Sequence, residues 1–277
     1  YNKRRLLTGE SMKPDTVQLG WGIGYGYNGL AQVVSEAYPA SVSVNYTVNA
    51  LGQTTQVTAS SDGGAATTIA SSATYFPNGA LKQFTYGNGI VHTMTQNARQ
   101  LPSQSVDGTI LNLTTTFDKN GNVSAITDGT AAARQTRSMV YDQLDRLTST
   151  TSPMFGTASY VYDTLDNLKQ VNVSGGTGAR SHYYCYNAAN QLEFVRTGSN
   201  CSSSPSVINI SYDVQGNLLQ KTGTSGGTYT FDYGNRLRTA TPPSASALNY
   251  RYDADGRRVR HDIAGAIAIG QVLGHGP

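Results

Sequence analysis

Ser159-Tyr160-Val161-Tyr162-Asp163-Thr164-Leu165-Asp166-Asn167-Leu168 is the stretch that decides the fold. Tyr160 and Tyr162 stand two apart, so on an extended strand both rings face one side. Asp163 comes next, and a short carboxylate there can accept backbone N–H groups two residues on and begin a turn. Asp166 falls where a tight hairpin needs positive φ, which Gly and Asn adopt most cheaply and Asp next. Leu168 then opens a returning strand with an apolar side chain. The segment therefore reads as one β-hairpin.

The same phrase, aromatic-(Asp/Asn)-x-x-(Gly/Asp/Asn)-(Asn/Arg/Gln)-(Leu/Val), recurs along the chain, and we number its positions one to seven. Clear copies start at Phe117, Tyr141, Tyr162, Tyr186, Tyr212, Phe231 and Tyr252. They place Asp118, Asp142, Asp163, Asn187, Asp213, Asp232 and Asp253 at position two, and Gly121, Asp145, Asp166, Asn190, Gly216 and Gly256 at position five. Weaker copies start at Tyr27, Val48, Tyr75 and Thr95. A spacing of about 20 to 25 residues marks a repeat architecture. The expected fold is all-β, with tandem hairpins joined edge to edge in an antiparallel sheet. The only stretch with helical periodicity, Leu30 to Ala37, is short and runs into Pro39, so little helix is expected.

Composition agrees. Charged residues make up 13% of the chain, about half the usual share, and Thr, Ser, Tyr and Gly take their place. The net charge of +3 is too small an excess to mark a polyanion partner, so nucleic acid is not expected. Lys3, Arg4 and Arg5, and again Arg257, Arg258 and Arg260, read as solvated strand ends and faces. No run approaches the roughly 18 apolar residues of a membrane helix.

Seven clear copies in register resemble the RHS/YD-repeat family, which includes bacterial rearrangement-hotspot toxins, the shell subunits of insecticidal Tc toxins and animal teneurins. The resemblance covers roughly Tyr27 to Arg260, and Tyr75-Phe76-Pro77-Asn78-Gly79-Ala80-Leu81 is similar to an opening phrase of bacterial members. It implies hairpins joined into a curled, spiralling sheet, a partial shell or barrel, that encloses a toxin released by self-cleavage. It also implies a secreted, cell-surface or effector-delivered protein whose partner is a toxin cargo or the rest of a longer RHS polypeptide. Three segments are expected: lead-in strands over 1–26, the repeat array over 27–260, and a terminal strand and tail over 261–277 without a toxin domain. The Asp-Pro-x-Gly junction of the toxins is absent after Tyr252-Asp253-Ala254-Asp255-Gly256-Arg257, so the chain reads as part of a longer polypeptide or an orphan remnant. About twenty strands spaced 4.8 Å apart close into a ring only about 30 Å across, too narrow to cage a domain of about 100 residues.

Catalytic and metal motifs are not recognisable. His92, His182, His261 and His275 are scattered, without the spacing of metal ligands. His261-Asp262 is the nearest approach to an acid/base pair, but neighbours on a strand face opposite sides. Turn duty accounts for the repeat aspartates, and no cofactor is expected. Cys185 and Cys201 come within reach if the hairpin at Gln191-Leu192 folds back, so an oxidising compartment favours a disulfide and the alternative is two free thiols. A second functional reading is a glycan-binding module, since tyrosine rings stack on sugars and threonine hydroxyls bond to them. An enzyme with an atypical hydrolytic site is a third.

Overall fold

The computed structural model describes residues 1–12, 21–130, 136–198, 200–202, 205–223, 226–253, 256–263 and 266–269. They form two compact units, Tyr1–Ser138 and Met139–Pro277. In the first, the strands Gly9–Met12, Trp21–Tyr27, Val33–Tyr38, Val42–Val48, Thr54–Ser60, Thr67–Tyr75, Leu81–Tyr86, Val91–Gln96, Pro102–Asp107, Leu111–Phe117 and Val123–Asp128 pair antiparallel in chain order. In the second, Leu147–Ser152, Gly156–Tyr162, Leu168–Ser174, Arg180–Tyr186, Leu192–Thr197, Ser206–Tyr212, Leu218–Lys221, Gly227–Phe231, Leu237–Thr241, Leu248–Tyr252, Arg258–Ile263 and Ala266–Ile269 do the same. The one helical turn among the described residues is the 3-10 turn Gly176–Gly178.

Each phrase closes its hairpin in the same way. In the copy at Tyr162, Asp163 N–H donates to Asn167 O and Asp166 N–H donates to Asp163 O. Tyr162 pairs with Leu168, and the register then skips Lys169, because Val161 pairs with Gln170. The skip is a β-bulge, which adds local twist to the strand pair. Position five takes positive φ in glycine and non-glycine copies alike, from 59° at Asp145, 65° at Asp166 and 61° at Asn190 to 98° at Gly121 and 87° at Gly216. The predicted tail past Ile269 and the turn residues Ala254 and Asp255 lie outside the described residues.

Sequence reading and structure differ in three places. Leu30 to Ala37 is not helical: Ala31, with φ 66°, closes a turn and Val33–Tyr38 is a strand, because Asn28 captures the N–H groups of Leu30 and Gln32. The copy placed at Thr95 begins one residue later, since Gln96 pairs with Pro102 and Asn97 is the turn acceptor. A further copy lies at Tyr1–Leu7, within the stretch read as lead-in strands. There Asn2 accepts from Arg4 and Leu6, and Arg5 has φ 61°.

Alternation divides the sheet into two faces. In the second unit Ala158, Val171, Val173 and Val195 are buried on one face, and Phe155, Tyr160, Leu168 and Tyr184 pack on the cluster of the first three. The opposite face is lined with hydroxyls and amides, among them the bonded Gln170, Asn172 and Ser181. A first-position tyrosine also ties its repeat to the one before. Tyr162, Tyr186 and Tyr212 donate their hydroxyls to the carbonyls of Leu147, Leu168 and Leu192 at 2.9, 3.0 and 2.8 Å. Tyr27 and Tyr75 do the same to Leu7 and Thr54. In each case the acceptor is position seven of the preceding copy.

Candidate functional site

The polar groups gather at the turn edge. Asp163 Oδ1 accepts the N–H groups of Leu165 and Asn167 at 2.8 and 2.9 Å, while Oδ2 accepts from Asn167 Nδ2 at 3.0 Å. Asp118 and Asp213 are closed by Asn122 and Asn217 in the same way. Arginine supplies the donor at Asp142, Asp232 and Asp253, through Arg146, Arg236 and Arg257. In three copies where position two is asparagine, its amide finds an acceptor in a position-six glutamine: Asn28 with Gln32, Asn49 with Gln53, Asn187 with Gln191. Asn2 and Asn97 close their turns with leucine at that position. Bonds from the Arg146 and Asn167 side chains hold the carboxyls of Asp142 and Asp163 below the usual carboxylate range. Asn217 acts likewise on Asp213, and the Arg236 N–H on Asp232.

Position six also reaches the next repeat. Arg146 bonds to Asp166 at 2.6 Å, Asn167 to Asn190 at 2.7 Å and Asn217 to Asn235 at 2.9 Å, each at the next copy's position five. At Gly216 and Gly121, which lack a side chain, an added Cβ would stand only 3.3 Å from Gln191 Nε2 and 3.2 Å from Arg99 Nη2. The edge is a ladder of donors and acceptors, and its position-two carboxylates are occupied in closing turns.

Two further polar groupings arise from strand pairing and carry no signal in linear spacing. Glu36 is 8% exposed and accepts the hydroxyls of Tyr38 and Tyr46. On the same face Tyr25 donates to Glu10 at 2.9 Å, and burial together with that bond pushes its phenol up to about 12. The bond to Glu36 raises Tyr38, and burial beside Glu36 raises Tyr46. Tyrosines that stay neutral here serve as donors. His92 pairs across strands with Asp107, Nδ1 to Oδ1 at 2.5 Å, and packs against the rings of Phe84 and Tyr86. Such a pair orients an imidazole, and among the described residues Asp107 is its hydrogen-bond partner. His261 and Asp262 pair separately, with Ala268 and Ile267 along one side; His275 lies outside the described residues.

Cys185 and Cys201 are joined, with Cα atoms 5.7 Å apart. Beside them is an open cavity of about 290 Å³, lined by Asp163, Lys169 and Tyr183 among others. Among the described residues no cluster of His, Cys, Asp and Glu is placed to hold a metal ion, and no helix is long and apolar enough to cross a membrane.

Residues 97–267, more than half of the chain, match the family model described as Teneurin YD-shell. No curated protein matches the sequence. Solved structures are similar in fold. The crystal structure of TcdB2-TccC3-Cdc42 is 16% identical with a TM-score of 0.67, over 88% of this chain and 14% of that one. TcdB2-TccC3 without its hypervariable C-terminal region is 13% identical with a TM-score of 0.64, over 91% and 15%. A Tc holotoxin pore from Photorhabdus luminescens is 13% identical with a TM-score of 0.52, over 87% and 15%. The chain thus spans about a seventh of the length of these structural relatives.

Proposed function

Because the chain belongs to the teneurin YD-shell family and is a structural shell segment, we propose that it forms part of the wall of a secreted container. That container encloses a toxic polypeptide and presents it for delivery in competition between bacteria. The observation that carries this reading is the bonding between repeats. Tyrosine hydroxyls reach the preceding repeat and position-six side chains reach the following one, so the polar residues brace a wall. The partners are further repeats of a longer polypeptide and the cargo they surround, since one turn of about twenty strands is too narrow to cage a domain.

The test is made on the protein isolated from its source. The container reading expects this sequence within a polypeptide several times longer, carrying a segment that resists protease while the repeats are folded and is cleaved once they are denatured. Isolation of the 277-residue chain alone, with no accompanying polypeptide, would refute it.

A further inference from the structure

Across the strands from Gly156–Tyr162 to Ser206–Tyr212 the buried residues are Ala158, Val171, Val173, Cys185 and Val195. Register puts four of them on the apolar face and Cys185 on the other, opposite Phe194. The neighbours of Cys185 on that polar face, Tyr183, Phe194 and Arg196, are only partly buried, yet Cys185 is 5% exposed. Cys201, beyond the strand Leu192–Thr197, is bonded onto it. Thr197 N–H to Pro205 O at 3.0 Å closes the base of the loop, and Ser202 N–H to Asn200 Oδ1 at 3.0 Å shapes its tip. The covalent tie to the strand is the disulfide, and its Cys201 end is exposed.

We propose that the Cys185–Cys201 bond is a reductively released latch. Closed, it holds the loop on the polar face of the strand Arg180–Tyr186. Opened by a dithiol, it frees Cys201 from the strand and removes one wall of the open cavity in which Lys169 lies 5.8 Å from the Tyr183 ring. The chemistry is two thiol–disulfide exchanges. A reductant thiolate attacks the exposed Cys201 Sγ, a mixed disulfide forms, and the Cys185–Cys201 bond breaks with its electron pair going to Cys185 Sγ, which takes up a proton. The second thiol of the reductant, as its thiolate, then attacks its own sulfur in the mixed disulfide and forms the cyclic disulfide. Cys201 leaves as a thiolate and is protonated. The protein gains two electrons and two protons, and the dithiol loses them.

Backbone hydrogen exchange of the full chain tests the latch, with the protein oxidised, reduced by dithiothreitol, and as Cys201→Ser. Reduction is expected to speed exchange over 183–186 and 198–205 by up to about a hundredfold, the equilibrium factor for closing a loop of this size. Exchange over 156–162 stays unchanged. Cys201→Ser exchanges fast at the loop with or without dithiothreitol, and a glutathione adduct trapped at low conversion sits on Cys201. Equal exchange in the oxidised and reduced chains overturns the proposal. So does loss of protection throughout the second unit, which would make the bond a global staple, and so does an adduct on Cys185. If Cys201→Ser does not fold, the oxidised and reduced parent chains decide the matter.

Discussion

At a single turn, position two accepts the backbone N–H groups two and four residues on whether it is Asp163 or Asn28, and what differs is its second atom. A carboxylate oxygen takes a donor from Asn167 or Arg146, whereas an amide nitrogen needs the carbonyl of Gln32 or Gln191. Asp163→Asn should therefore lower the melting temperature, because two amide donors then meet at Asn167. Adding Asn167→Gln should restore much of the loss by recreating the pairing of Asn28 with Gln32. A double variant no more stable than Asp163→Asn alone would contradict the pairing rule. The lowered carboxyls of Asp142, Asp163, Asp213 and Asp232 set the pH response. Their folded values lie below the unfolded value of about 3.9, so this stabilisation is complete above that pH and is lost as pH falls through the folded values. Melting temperature should fall on acidification below about pH 4, less steeply in Asp142→Ala or Asp163→Ala. The capture of N–H groups two residues on was legible in the sequence. The bond four residues on and the position-six partner were not, because both require the turn to be closed already.

Hairpins are the next scale, and two substitutions probe what they need. Tyr162→Phe keeps the ring and removes the bond to Leu147 O, at a cost of about 0.5–1.5 kcal/mol, read by urea unfolding. No change would mean that the ring alone matters. Gly216→Ala places a Cβ at φ 87°, against Gln191 Nε2, and should cost about 1–2 kcal/mol. Strand starts were legible, since Leu147, Leu168, Leu192, Leu218 and Leu237 are the first residues of their strands. The copy at Tyr1–Leu7 was not, because Arg5 and Leu6 depart from the residues that the clear copies carry at positions five and six, and Asn2 closes the turn. The faces of Glu36 and His92 were hidden for another reason. Their partners are set by register between strands, which bulges shift one residue at a time.

Across the whole molecule, cohesion is the sum of neighbouring hairpins, as in other linear repeat arrays. In the first unit Ile23 is the buried apolar side chain among the described residues, and in the second Ala158, Val171 and Val173 form one small cluster. Removal of 213–231 joins Tyr212 to Asp232 and leaves an intact phrase, Tyr-Asp-Tyr-Gly-Asn-Arg-Leu. That deletion should retain the β-sheet circular dichroism signal and a cooperative melt. Removal of 213–221 alone, which takes a turn and one strand, should lose both. The tyrosine bond explains the difference. Its acceptor is a main-chain carbonyl, and every residue offers one, so a repeat can brace against whatever repeat stands before it. Recombination that adds or drops a whole copy creates a junction needing no compensating mutation, and the length of such a wall can drift over generations while its construction stays the same.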